Sequence, residues 1–310
     1  MPDSQGEQLT GLLDTSPNAP TEVPGLDILA DEFELGKLRL GKLELQARNP
    51  RSAGPGSART WQLQKLEITN PDGRMTATGS WERETGAPPT APRRMNLALN
   101  VEFANAGRLL TRLGYPDAIR NGAGFLKGDV SWQGSPFSID FGSLAGKLQL
   151  QTDKGQFLKA DAGAARLLGV MSLQSLPRRI TLDFRDVFSE GFAFDTIGST
   201  AVIKNGLLDT RDFRMRGVGA TVLMEGGIDL GHETQNLHVL VMPIIDATSA
   251  SLVYAALANP AIGLGTFVAQ LVLRDPLSKA LAVEYDVTGS WTDPQVRKRE
   301  RPVTQNPDTR

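Results

Sequence analysis

The chain contains no cysteine. That excludes disulfides, thiolate nucleophiles and cysteine-ligated zinc, and it suits any redox compartment. Histidine is almost as scarce: His232 and His238 are the only two in 310 residues. Triads built on histidine and His-rich metal sites are therefore poor readings, and both residues are read as surface loop and strand positions. Aromatic residues make up 6% of the chain, too few for the two aromatic girdles of an outer-membrane barrel. Charge of neither sign dominates. The formal net charge is −2, which argues against general binding of nucleic acid or another polyanion. The N-terminal stretch MPDSQGEQLTGLLD lacks the basic and apolar regions of a signal peptide. The chain is therefore read as staying in the cytoplasm or as a piece of something longer whose targeting segment lies upstream.

Catalytic signatures are missing too. No G-x-S-x-G, P-loop or EF-hand pattern occurs, and Gly217-Val218-Gly219 is too short for a dinucleotide loop. Asp183, Asp186 and Asp195 cluster in sequence, but Asp183 alternates outward beside Arg185, so surface ion pairs explain them better than a catalytic carboxylate pair. No catalytic residue, metal ligand or cofactor is assigned, and the chain is read as a non-enzyme.

What the chain does have is alternation. Leu97, Leu99, Val101 and Phe103 alternate with Asn96, Asn100 and Glu102; Val130 and Trp132 with Asp129, Ser131 and Gln133; Leu148 and Leu150 with Lys147, Gln149 and Gln151. Period two with one apolar face is the pattern of half-buried strands. Asn70-Pro71-Asp72-Gly73 and Asn205-Gly206 lie between such runs and predict hairpins, with a glycine at positive φ. Leu26 to Arg48 changes parity at Gly41, where a turn or a bulge is expected. Helical pieces are few, so the reading is a meander of antiparallel strands rather than repeated βαβ units. Gly79-Ser80-Trp81, Val130-Ser131-Trp132 and Gly289-Ser290-Trp291 end strands alike and hint at a repeat.

Two stretches interrupt the β pattern, besides a short helical piece expected over 105–119. In Lys159 to Leu176, Ala164, Leu167, Leu168 and Met171 share one helical face; Asp161 is placed to cap the helix, and Pro177 ends it. Leu167, Leu168 and Met171 are assigned to a lid helix. Alternation then returns with Ile180, Leu182 and Phe184. The second stretch, Ala247 to Leu273, is uncharged and long enough to span a bilayer, but Asn259-Pro260, Gly263 and Gly265 break it into two short apolar helices. Leu252, Val253 and Leu257 on one, and Phe267, Val268 and Leu271 on the other, are candidates for membrane contact; the competing reading is that both faces pack on the end of the sheet as a cap.

The run ADAGAARLLGVMSLQSLPRRITLDFRDVFSEGFAFD at 160–195 resembles the C-terminal region of the AsmA-like family, in its YhdP branch. So do Asn205-Gly206, MRG at 215–217, Pro243, Asn259-Pro260 and VTGSWTDP at 287–294. The resemblance covers roughly residues 95–295. It implies a long β-groove anchored in the inner membrane of Gram-negative bacteria that carries phospholipid across the periplasm, and hence an envelope location for a chain lacking anchor and signal peptide. Periodicity alone favours a β-sandwich; the resemblance favours a mainly β fold, a long twisted antiparallel meander forming a groove and capped by short amphipathic helices. The expected organisation is a disordered lead-in over 1–25, a β-rich groove segment over 26–104, the C-terminal groove region with capping helices over 105–295, and a disordered basic tail over 296–310.

Leu97, Leu99, Val101, Val130, Trp132, Leu148, Leu150, Ile180, Leu182 and Phe184 are the expected groove lining. The expected partners are phospholipid acyl chains and the outer membrane, and no nucleic acid. The competing reading is a structural or assembly factor of the envelope with a dry, sandwich-like core.

Overall fold

The structure is a computed structural model that describes residues 23–50, 60–84, 86–88, 90–158, 192–217, 219–244 and 282–299. Ile180, Leu182 and Phe184, the lid-helix residues Leu167, Leu168 and Met171, and the membrane-contact residues Leu252, Val253, Leu257, Phe267, Val268 and Leu271 lie outside the described residues.

Among the described residues, thirteen strands form one sheet: β1 (Leu26–Leu35), β2 (Leu38–Arg48), β3 (Trp61–Asn70), β4 (Gly73–Glu82), β5 (Arg94–Phe103), β6 (Ile119–Gln133), β7 (Ala145–Phe157), β8 (Phe192–Lys204), β9 (Leu207–Gly217), β10 (Ala220–Asp229), β11 (Thr234–Pro243), β12 (Val283–Ser290) and β13 (Pro294–Lys298). Their order in the sheet is their order in the chain, and each pairs antiparallel with the next. The sheet is open, since β1 and β13 are its two edges. Among the described residues all strands thus belong to one sheet, not to the two packed sheets of the sandwich that periodicity alone favours. Alternation is identical in the two architectures; only the choice of partner strand separates them.

The turns follow local chemistry, with three departures from expectation. Asn205 (φ 49°) and Gly206 (φ 76°) form the expected hairpin turn, both in the left-handed region. At Asn70-Pro71-Asp72-Gly73 no residue has positive φ. Pro71 and Asp72 make the corner, Gly73 opens β4 opposite Asn70, and the Asn70 side chain accepts the amides of Asp72 and Gly73 (3.0 and 3.1 Å). The first hairpin turns at Gly36-Lys37, not at Gly41; Gly41 (φ 101°) lies inside β2 beside a register shift, so it is the bulge of the two options. The expected helix over 105–119 is short: α1 spans Ala106–Arg112 and β6 begins at Ile119. Asn105 caps it, its side chain accepting the Arg108 amide at 3.0 Å.

Helix α1 is tied across the ends of the strands. The Asp72 carboxylate, 7% exposed, takes Arg108 Nε at 2.9 Å and Arg112 Nη2 at 2.7 Å. Arg112 Nη1 also donates to the Arg39 carbonyl at 3.0 Å. One side chain at the β3–β4 corner thus fixes α1 against β2.

Glycines distinguish the two faces of the sheet. A Cβ on Gly128 would fall on the carbonyl oxygen of Lys147 in the next strand. Gly227 faces the other way, and a Cβ there would meet nothing closer than the Leu208 carbonyl at 3.9 Å. Gly128→Ala is expected to destabilise by about 1–3 kcal/mol, because neighbouring backbone must move, whereas Gly227→Ala is expected to be neutral within about 0.5 kcal/mol. Thermal unfolding by circular dichroism checks the pair; equal melting temperatures would show that crowding on the first face does not shape the sheet.

Candidate functional site

Cross-strand partners point to the same face, so the register can be followed residue by residue across the sheet. One row runs Ile28, Leu45, Leu66, Ala77, Leu99, Gly128, Leu148, Ala201, Thr210, Gly226, Leu237, Val287, Val296, one residue from each strand. No member is charged. Twelve spacings of about 4.8 Å give such a row a length of about 58 Å measured along the sheet. From Leu66 to Leu148 large and small residues alternate, leaving shallow gaps between leucines. A parallel row joins Ile68, Met75, Val101, Leu126 and Leu150.

Of the described candidates, Leu97 lies opposite Val130, Leu99 is one strand removed from Leu148 across Gly128, Val101 is likewise linked to Leu150 through Leu126, and Trp132 lies opposite Met95. All seven are on this inner face. They differ in cover. Trp132 is buried at 3% exposure; the other six are half-buried.

Two buried clusters flank the half-buried stretch. The first gathers Trp61, Trp81, Met95, Trp132, Leu144 and Ile203, and the second Phe192, Phe194, Met215, Val239, Val241 and Tyr285. Leu148 packs against the first and Leu150 against the second. Burial pushes the Tyr285 phenol above its ordinary range, so it stays neutral at physiological pH. Between the clusters, Ile68, Met75, Leu99, Val101 and Leu126 are half-buried and belong to neither. Ile68, Met75 and Leu126 were not picked out as lining by sequence reading. Met75 had a visible signal in the alternation of β4, whereas Leu126 is masked by its outward neighbour Phe125 and by Gly124.

Trp61, Trp81, Met95 and Trp132 are paired in that order along one edge. The indole N–H groups donate to the carbonyls of Pro24 (2.9 Å), Gly134 (2.6 Å) and Ser135 (2.8 Å), respectively. Arg93 lies over the Trp81 ring, 4.4 Å from its centroid. The recurring small-Ser-Trp motif thus marks strand ends at one edge.

The opposite face is polar over β2 to β4, whereas on β10 and β11 it carries the buried Thr221, Leu240 and Met242. Lys65 bridges Glu44 (2.7 Å) and Glu67 (3.3 Å), and Arg74 reaches Glu67 at 2.9 Å. Its guanidinium holds the Glu67 carboxyl below the ordinary carboxylate range. His238 sits on this face with Nε2 3.1 Å from Glu284 and Nδ1 3.9 Å from Glu225. His232 lies in the β10–β11 loop, paired with Asp229 at 2.9 Å. Among the described residues no group of three or more His, Cys, Asp and Glu is placed to hold a metal, and no helix is long and apolar enough to cross a membrane.

No solved structure matches the chain significantly. Over 226 residues, 73% of its length, the chain is 32% identical to the intermembrane phospholipid transporter YhdP of Escherichia coli K12, spanning 17% of that protein. Residues 4–296 match the profile of the YhdP protein. With an open antiparallel meander whose uncharged row crosses every strand, and a family match over nearly its whole length, the chain belongs to the YhdP family.

Proposed function

We propose that this chain forms part of a non-catalytic carrier in the Gram-negative envelope, and that its inner face holds phospholipid acyl chains as they move between the two membranes. The observation that supports this reading is the uncharged row running from Ile28 to Val296. Leu99 near its middle, and Val101 and Leu126 in the parallel row beside it, are only half covered. Folded monomers rarely leave more than a few hundred Å² of contiguous apolar surface in water, and an acyl chain lying along the row removes that surface from solvent without needing a directional contact. The related transporter of E. coli is named for phospholipid, which fits the same chemistry. Since the chain spans 17% of that relative, we propose that it serves as one segment of a longer path.

The test is a photocrosslinking amino acid placed at Leu126 or at Lys127, adjacent residues on opposite faces. Lipid adducts are expected at 126 and absent at 127 by mass spectrometry of the purified chain. Leu150→Ser should lower bound phospholipid about three- to tenfold, roughly the loss of half a leucine's burial energy, with the circular dichroism spectrum unchanged. Adducts at neither position, with a lipid-free wild type, would favour a dry envelope-assembly role instead.

A further inference from the structure

Among the described residues, the inner face carries buried polar atoms that the sheet does not satisfy. Thr210 is also buried and on this face, but its hydroxyl donates to the Thr200 carbonyl at 2.8 Å. Gln235 is different. It is 5% exposed, and neither Nε2 nor Oε1 has a hydrogen-bond partner. Its cross-strand neighbours are Ile228 and Gly289, and Leu237, two residues on, belongs to the second buried cluster. The row that ends on it runs from Leu26 through Ala47, Leu63, Gly79, Leu97, Val130, Gly146, Ile203, Leu208 and Ile228, with no other side chain capable of a hydrogen bond.

Trp291 stands at the same end of the same strand pair. Its backbone amide donates to the Glu233 carbonyl at 2.9 Å, two residues before Gln235. Its indole Nε1 is buried and unpartnered, whereas Trp61, Trp81 and Trp132 each donate to a carbonyl. Opposite Gln235, Gly289 (φ 89°) has no side chain and so offers the amide no polar partner. A buried amide or indole N–H without a partner is costly, and native proteins hold few of them without a reason such as a missing ligand.

We propose that Gln235 and Trp291 bind the ester linkage of a diacyl glycerolipid, as a polar stop where the apolar row reaches β11 and β12. The inference rests on the acyl-carrying reading of the inner face. Gln235 Nε2 and Trp291 Nε1 offer three N–H donors. Ester carbonyls are neutral acceptors sitting at the head of each acyl chain, so chains lying along the row bring them to its end. The row supplies no charged side chain, which favours the neutral ester over the phosphate as the group held here. Gln235 Oε1 accepts from a glycerol or headgroup hydroxyl.

The experiment uses the whole chain loaded with the neutral fluorophore N-phenyl-1-naphthylamine, which reports the apolar face. It is displaced with a short-chain phosphatidylglycerol that is either ester-linked or ether-linked. The ether lipid keeps chains, phosphate and headgroup but lacks the carbonyls. Wild type is expected to require about tenfold less ester than ether lipid, the factor carried by one or two hydrogen bonds. Gln235→Leu and Trp291→Phe are each expected to reduce that preference to about twofold or less while fluorophore binding stays unchanged. Gln235→Leu removes an unpaired amide and should fold. Equal displacement of wild type by both lipids would overturn the inference and leave the acyl-carrying reading intact; so would a full ester preference in both variants. Failure of either lipid to displace the fluorophore from wild type would remove the acyl-carrying reading, and this inference with it.

Discussion

Leu99→Asp should strip most of the bound phospholipid from the chain, by more than about tenfold, because a carboxylate against an acyl chain in a water-poor groove costs several kcal/mol. Leu99 is the central leucine of the charge-free row, flanked by Ala77 and Gly128, so no large side chain can move across to cover the charge. Its sequence neighbour supplies the control. Ala98 is exposed on the opposite face and paired with Asp129, so Ala98→Lys adds a charge that meets water and an opposite charge. Phospholipid phosphate per mole of purified protein is the measurement, with circular dichroism to confirm folding. If both variants retain wild-type lipid, the inner face is not where lipid sits.

The second large effect is on stability. Trp81→Ala is expected to cost about 3–5 kcal/mol and to lower the melting temperature by about 10 °C. Trp81 is 4% exposed and is paired with both Trp61 and Met95. Its loss opens a cavity at the centre of the first cluster and leaves the Gly134 carbonyl without its donor. Trp81→Phe keeps most of the volume and should recover about half of the loss. A drop below about 1 kcal/mol in Trp81→Ala, against the range typical of buried tryptophans, would mean that the edge is held by its hairpins rather than by the tryptophan row. The two predictions separate the roles proposed for one face: Leu99 tests whether lipid lies on it, Trp81 tests the packing at its buried end.

Legibility in the sequence was uneven, for identifiable reasons. The strands around Leu97, Val130 and Leu148 were readable because one-sided burial imposes alternation on each strand separately. Asn205-Gly206 was readable because few residue pairs tolerate two left-handed positions in succession. The corner at Asn70 was located correctly but with the wrong geometry: the Asn70 side chain holds the Asp72 and Gly73 amides, so no glycine at positive φ is needed. Gly41 was ambiguous because a bulge and a turn both favour glycine, and only the pairing of Phe33 with Gly41 decides between them. Ile68 and Leu126 escaped notice as lining because their place beside Val101 depends on strands far apart in the chain. Gln235 escaped for a related reason. A glutamine at the start of a strand is unremarkable until its neighbours leave it buried and unpaired.

The sequence by itself therefore determined the local period, most of the hairpins, the polarity of each strand's two sides and, through its motifs, the family. All of these depend on residues within a few positions of one another. The tertiary structure decided that thirteen strands pair strictly in order in an open sheet, that Leu66, Leu99 and Leu148 fall in line with Ala77 and Gly128 between them, and that Leu99, Val101 and Leu126 stay half covered while Trp81 and Tyr285 are sealed. Those outcomes rest on register, and a slip of one residue in any strand would turn its apolar side to water. Register is set by the sum of contacts between neighbouring strands, a quantity that no single stretch of the chain contains.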